Sequence, residues 1–333
     1  MLARRRWALA VVSLVAVSAF AGPASPKPKK LKGEPRALAD VEAKAKALEK
    51  SKDPAGDFDA LTEWLGVSSI FCAPEACKSI THVKWLTGNL DTDADSEKVL
   101  AITARGGGEC APTNLDVFVL DATSKTEFKV VAHTRQSFDA GKDPIAEASL
   151  AKVHSSAVDD LVVRVDAQCP KSPREHVLRV HTLESGRLEE IASSADLLGK
   201  DLLSHAFVGS APVTLELASA KGKTKLLFDP AHGYDSFPSV EAAKKTAITK
   251  SDDDSLGANE CAAPLGTNLA VDCDLSGTAK VEVLVQSGKA LGMTVTVTPA
   301  SLSTTRCLRQ KVAAASWKSA PGVTGCTRTF TVK

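Results

Sequence analysis

KVLAITARGGGECAPTNLDVFVLDATSKTEFKVVA, Lys98–Ala132, has a near-copy further along the chain, DLVVRVDAQCPKSPREHVLRVHTLESGRLEEIA, Asp160–Ala192. Each reads as strand, loop with one cysteine, strand, polar turn, strand, because apolar residues recur at the two-residue period of a pleated strand between turn-forming clusters. With Cys110 written over Cys169 and one extra residue allowed after the second, Phe118 falls on Leu178, Leu120 on Val180, Phe128 on Leu188 and Val131 on Ile191. Upstream, Leu100 and Ile102 fall on Val163 and Val165 if Arg105–Gly108 is an insertion. A weaker third copy follows, with Val213, Leu215 and Leu217 alternating and Leu226–Phe228 returning after Lys221-Gly222-Lys223. The repeat predicts an antiparallel β domain of side-by-side hairpins over residues 67–232, a sandwich or compact meander. The stretch is too short for a closed propeller of at least four four-stranded blades.

Just before the first copy lies Asp91-Thr-Asp93-Ala-Asp95-Ser-Glu97. Alternating carboxylates on one curled loop suit a hard cation that needs several oxygen ligands. The stretch resembles the DxDxDG calcium loops of the repeats called FG-GAP, which likewise lead into an apolar strand. That resemblance implies Ca²⁺ held by Asp91, Asp93 and Asp95. Ser96 stands at the glycine position, and no acid is counted just before the strand. The corresponding segment of the second copy, His154–Asp160, lacks the motif. An acidic surface turn is the plain alternative.

Two helices are expected before the β domain, in residues 37–66. Leu38, Val41, Ala45 and Leu48 share a face over Ala37–Lys50, Asp53-Pro54-Ala55-Gly56 reads as a breaker, and Phe58, Leu61 and Leu65 mark a short helix from Asp57. Residues 22–36 are rich in proline and lysine and read as a basic tether. Residues 1–21 have the form of a signal peptide: Arg4-Arg5-Arg6, an uncharged apolar run Trp7–Phe20, and a small-residue site at Ala19-Phe20-Ala21, with cleavage after Ala21. The expected location is periplasmic or secreted, with no transmembrane segment in the mature chain.

Composition narrows the function classes. Hydrophobic residues are 44% and charged residues 24% of 333, the balance of a globular chain long enough for two domains. Aromatic residues are 5%, so the cores must be aliphatic. A formal net charge of +1 leaves no electrostatic footprint for nucleic acid. The 8 cysteines, none in CxxC spacing, read as disulfides of an exported protein and not as zinc or thioredoxin-like sites. Local pairing predicts Cys72–Cys77, Cys261–Cys273 and Cys307–Cys326. The repeat predicts Cys110–Cys169, since equivalent loops of neighbouring hairpins lie at the same end.

A connector at 233–257, with a helix started by Pro238-Ser239 and an acidic run at 251–255, leads to a second unit at 258–333. There, Val281, Val283 and Val285 form one arm of a hairpin, turned at Ser287-Gly288-Lys289, and Met293, Val295 and Val297 form the other. Leu308, Val312 and Ala315 mark a helix from about Ser301 to Trp317, and Phe330 and Val332 a last strand. The order is β-β-α-β. VEVLVQSGKALGMTVTV, CLRQKVAAASWK and CTRTFTV resemble the C-terminal domain of the TonB family over about the last sixth of the chain. The resemblance implies an α+β module that binds a periplasmic protein or peptide by adding a strand to its sheet edge. The cleaved N-terminus and the central β domain depart from that family, so energy transduction is not carried over.

No HExxH, GxSxG, P-loop or GxGxxG is present. The seven histidines are scattered, with His176 and His181 on opposite faces of one strand, and His232-Gly-Tyr234-Asp235 reads as a surface turn. Gly106–Gly108 after Arg105 reads as a plain loop with no helix to make it an anion cradle. The expectation is a non-enzymatic envelope protein with no cofactor beyond Ca²⁺, acting in binding or assembly with an envelope protein or peptide. The alternative is a calcium-organised carbohydrate-binding protein or hydrolase.

Overall fold

A computed structural model describes residues 31–141, 144–170, 174–194, 198, 202–230, 233–235, 237–244, 256–266 and 268–332. The expected signal peptide, the start of the tether, His232 and the acidic run at 251–255 lie outside the described residues. Strand β1 (Arg36–Ala37) pairs with β5 at the edge of a five-stranded antiparallel sheet that also holds β2 (Ser79–Gly88), β3 (Glu97–Arg105), β4 (Ala111–Ala122) and β5 (Glu127–Ala140), in the order β1-β5-β4-β3-β2. β6 (Ile145–Ala151), β7 (Asp160–Ala167), β8 (Glu175–Glu184) and β9 (Arg187–Ser193) form a four-stranded meander. β10 (Leu202–Val208), β11 (Thr214–Ser219) and β12 (Gly222–Leu226) form a third sheet, and β13 (Phe228–Asp229) pairs with β14 (Gly233–Tyr234). The chain is therefore mainly antiparallel β, with a few short helices.

The three sheets stack in layers. Along β3 and β4, Leu100, Ile102, Phe118 and Leu120 pack against Val41, Phe58, Leu61 and Leu65 of the N-terminal helices. Val99, Ala101, Val117 and Val119 point the other way, into Leu161, Val163, Val165 and Val177 of the second sheet. Val162, Leu178, Val180 and Ile191 on the far face of that sheet meet Leu215, Leu217 and Leu226 of the third. Strands covered on both faces have no polar side, which is why both copies read as near-continuous apolar runs.

That double burial misleads the sequence alignment by one residue. Leu100 pairs with Phe118, but Val163 pairs with Arg179 and Leu178 with Arg164. The position equivalent to Phe118 in the second copy, the one opposite Val163, is thus Arg179, not Leu178. A one-residue slip moves every side chain to the other face, and here both faces are apolar, so hydrophobicity alone does not detect it.

The N-terminal segment also departs from expectation at its break. Asp53-Pro54-Ala55-Gly56 starts the second helix, Pro54–Trp64, with Asp53 as its cap: Gly56 N donates to Asp53 Oδ1 at 3.2 Å. Proline suits the first helical turn, whose N–H groups have no partner within the helix.

Disulfides join Cys72 to Cys77 and Cys110 to Cys169, the latter tying the β3–β4 loop to the β7–β8 loop. The expected Cys261–Cys273 and Cys307–Cys326 pairs do not form. Cys261 bridges Cys326 and Cys273 bridges Cys307, with Cα–Cα separations of 5.4 and 5.5 Å. Sequence proximity is overridden by packing. Helix Ala258–Ala262 lies on β17 (Thr324–Val332), while Cys273 and helix Leu302–Ala313 share a core. In this last unit β15 (Gly277–Gln286) is central and β16 (Lys289–Thr298) and β17 flank it. The helix ends before Trp317, which is buried in the same core.

Arg306 anchors the unit to the stack, and Arg309 ties its helix to β16 and to the connector. Arg306 Nη1 donates to Glu190 O at 2.6 Å and Oε1 at 2.8 Å on β9. Arg309, 2% exposed, donates to Asp235 Oδ2, Met293 O and Phe237 O. Among the described residues, no helix is long and apolar enough to cross a membrane.

Candidate metal centre

The β2–β3 connection curls because its aspartates cap their own backbone. Asp93 N donates to Asp91 Oδ1 and Asp95 N to Asp93 Oδ1, each at 2.9 Å. Such side-chain-to-backbone turns are the local preference of Asp. The curl places ligand oxygens of Asp91, Asp93 and Glu97 within 4.8 Å of one another, the one such group among the described residues. Asp95, expected as a ligand, stands exposed outside the group. Glu97, the last acid of the same stretch, stands in the group with Asp91 and Asp93 instead. An acid at the first residue of the strand is the signal that was there to be counted.

Glu97 is fully buried at the start of β3. Leu90 N donates to its Oε2, and Oε1 is buried with no hydrogen-bond partner. Burial pushes its carboxyl above the ordinary value; the Leu90 N–H opposes this, and Asp91 and Asp93 push it further up. Asp121 on β4 is raised by burial in turn, against Lys129 and with Asp93 and Asp91 adding. Glu97 with Asp91 and Asp93, among whose mutual effects no cation of the described residues acts, has the electrostatics of a cation site. A hard divalent ion would find three carboxylates here. Backbone carbonyls or water would complete the six to eight oxygens that Ca²⁺ takes.

The second copy solves the same problem internally. Asp160 is fully buried at the start of β7 and also reaches back seven residues to a backbone N–H, Val153 N at 3.1 Å. It accepts two further bonds, from His154 N at 2.8 Å and His154 Nδ1 at 2.6 Å. His154 occupies the place that Asp91 has in the first loop, one residue after the backbone donor. The two loops touch: Asp159 N donates to Asn89 O at 2.6 Å, and Asn89 N to Asp159 Oδ2 at 3.0 Å.

Tyr234, Arg105 and His133, singled out in the sequence, have structural roles. Tyr234 is buried and not on a surface turn; its hydroxyl bonds Val213 O at 2.9 Å and Val153 O at 3.2 Å, clamping the second loop to the third sheet. Arg105, beside the glycine run, donates to Gly141 O at 2.7 Å. Asp116 on β4 is buried between His133 and Arg135, Nε2 and Nε each lying 2.7 Å from its Oδ1. Comparison of the chain with family models, curated proteins and solved structures finds no match.

Proposed function

We propose that this chain is a non-enzymatic, exported binding or assembly protein of the cell envelope whose β stack is organised by Ca²⁺ at Asp91, Asp93 and Glu97. The observation that carries the reading is the buried Glu97 carboxylate, with an oxygen left unpartnered beside two aspartates. Asp160 at the same place in the next sheet is fully partnered by protein. A buried anion without a cation or sufficient donors is costly. Four disulfides fit an extracellular or periplasmic setting. Isothermal titration of the chain from Gly22 with Ca²⁺ tests it: stoichiometric binding, lost in Asp93→Ala, is expected, and no heat of binding sinks the reading.

A second reading, strand addition to the TonB-C-like C-terminal unit, draws on the sheet order β16-β15-β17 with a helix between its second and third strands. The outer edge of the hairpin is a poor acceptor, since Met293 N on β16 already donates to Pro238 O at 2.9 Å. Strand β17, with Thr327, Thr329 and Thr331 exposed, is the better edge. Cross-linking in envelope extract that yields no partner dependent on residues 278–333 removes this reading.

A further inference from the structure

One corner of the contact between the second and third sheets is built from imidazoles. His176 is buried on β8, and its ring lies edge-on to that of His205 on β10, with centroids 5.8 Å apart. His205 meets Phe207 in the same way, again at 5.8 Å. Neither ring nitrogen of His176 is hydrogen-bonded, nor is Nδ1 of His205, and all three are buried. Asp166 Oδ2 on β7 stands 3.5 Å from His176 Nδ1. Both oxygens of Asp166 are held by Arg174, and Arg164 Nη2 lies 3.9 Å from one of them. Glu147 on β6 is engaged by Arg164 at 3.4 Å. The charged groups facing the pair are therefore Asp166 and Glu147, each tied to a guanidinium, and Arg164 and Arg174 themselves.

Such a pair closes only when both rings are neutral. A further proton on His176 Nδ1 would face only Asp166, whose oxygens Arg174 already holds; His176 Nε2 and His205 Nδ1 are buried with no acceptor, and charges on both rings would sit close together. Burial holds both imidazoles below the ordinary value. For His176, Arg164 and Arg174 add to this against the pull of Asp166, and for His205, His176 and Arg164 add to it.

We propose that His176 and His205 form a proton-sensitive latch: neutral, they close β10 on the second sheet, and in acid their protonation releases β10 and its sheet from the stack. Leu203 and Val208 already stand exposed on this edge strand, so release enlarges an apolar surface in acid. The sign follows from linkage. The released imidazoles titrate near 6.5 and the closed ones lower, so closure is fully favoured above that pH and weakens as pH falls below it. Each ring contributes at most about tenfold per pH unit, hence at most about a hundredfold for the pair one unit below.

Hydrogen exchange on the chain from Gly22 at pH 7.5 and 5.5, corrected for intrinsic rates, tests the latch. The expected result is a loss of protection of more than about threefold, and at most about a hundredfold, in β10 and β11 with β3 and β4 unchanged, and a loss of less than about threefold in the His176→Leu/His205→Phe double variant. Unchanged β10 protection in the wild type, parallel loss in β3 and β4, or an undiminished pH response in the variant overturns it. Should the double variant not fold, NMR titration of the wild-type rings decides: midpoints below 6.5 for both support the latch, and a midpoint at or above 6.5 for either refutes it.

Discussion

The loops Leu90–Glu97 and Val153–Asp160 perform one task in successive sheets, and they differ in what neutralises the buried acid. Each places a carboxylate at the first residue of a strand and reaches back seven residues to a backbone N–H. In the second loop the next residue is His154, whose backbone and ring both donate to Asp160. In the first it is Asp91, which adds negative charge to the Asp93–Glu97 group. A buried carboxylate needs donors or a cation; one loop carries its donors in the chain, and the other leaves one oxygen of its buried acid unpartnered beside two aspartates, where we propose a cation. The same backbone frame thus serves as a self-sufficient brace in one layer and, on the proposed reading, a metal-dependent brace in the layer before it.

The largest expected effect is in the self-sufficient loop. Asp160→Ala leaves Val153 N and His154 N buried or half-buried without an acceptor and strands the His154 ring. A loss of about 3 kcal/mol in denaturant unfolding is expected, identical in Ca²⁺ and in chelator. A cost below about 1 kcal/mol would mean that the bonds to Asp160 do not brace the loop. Next comes the cation itself. At Ca²⁺ about a hundred times the dissociation constant, the wild type should gain about 2.7 kcal/mol over the chelated protein. Asp93→Ala and Glu97→Gln should abolish the gain. Without metal, Glu97→Gln should be no less stable than wild type, because it removes charge from a buried site. A metal-free Glu97→Gln that unfolds far more easily would break the contrast between the loops.

Much of this frame was legible in the sequence, and what was hidden was hidden for physical reasons. The twin stretches disclose antiparallel hairpins and the Cys110–Cys169 tie because strand period and equivalent loops are local properties, but they were expected side by side, and the copies instead lie in separate sheets stacked face to face. The one-residue offset at Arg179 was not legible, since a sheet buried on both faces has no polar side to set its register. Glu97 was quoted in the acidic stretch but left out of the expected ligands, because the alternation picks out Asp91, Asp93 and Asp95, and the burial of an acid at the first residue of a strand is not a local property. His154 looked like a missing motif when it is the substitute for one. The terminal cysteines were paired by proximity along the chain, whereas helix packing on β17 brings distant ones together. The buried Tyr234 was out of reach as well, because its two acceptors lie on other layers.

A smaller effect would show the two loops to be interchangeable. Asp91→His gives the first loop the second loop's residue, and the ring would stand near a carboxylate that now has an unpartnered oxygen. Chelated Asp91→His should be more stable than chelated wild type by about 1 kcal/mol, the net worth of one hydrogen bond, and its Ca²⁺ affinity should fall at least tenfold in calorimetric titration. The reciprocal His154→Asp should lose stability in chelator and recover part of it in Ca²⁺. If Asp91→His is neutral in chelator while Ca²⁺ binding is lost, the loops are alike in shape only.

The finest test is the pH dependence of Glu97 itself. Its carboxyl is raised in the folded protein, by burial first and by Asp91 and Asp93 as well. A folded value above the unfolded 4.5 means that the metal-free native state binds this proton more readily than the unfolded chain. The resulting stabilisation is complete below 4.5 and is lost as pH rises through the folded value. The stability difference between chelated wild type and Glu97→Gln should therefore move in favour of wild type on going from pH 7 to pH 4.5. The histidines titrate equally in both proteins and cancel from the difference. The slope cannot exceed about 1.4 kcal/mol per pH unit for one group. In saturating Ca²⁺ the ionised carboxylate is the bound form, so acid should instead erode the wild-type advantage. A difference that is flat in chelator, or that has the same sign with and without Ca²⁺, would remove Glu97 from the site and leave the two loops equivalent braces.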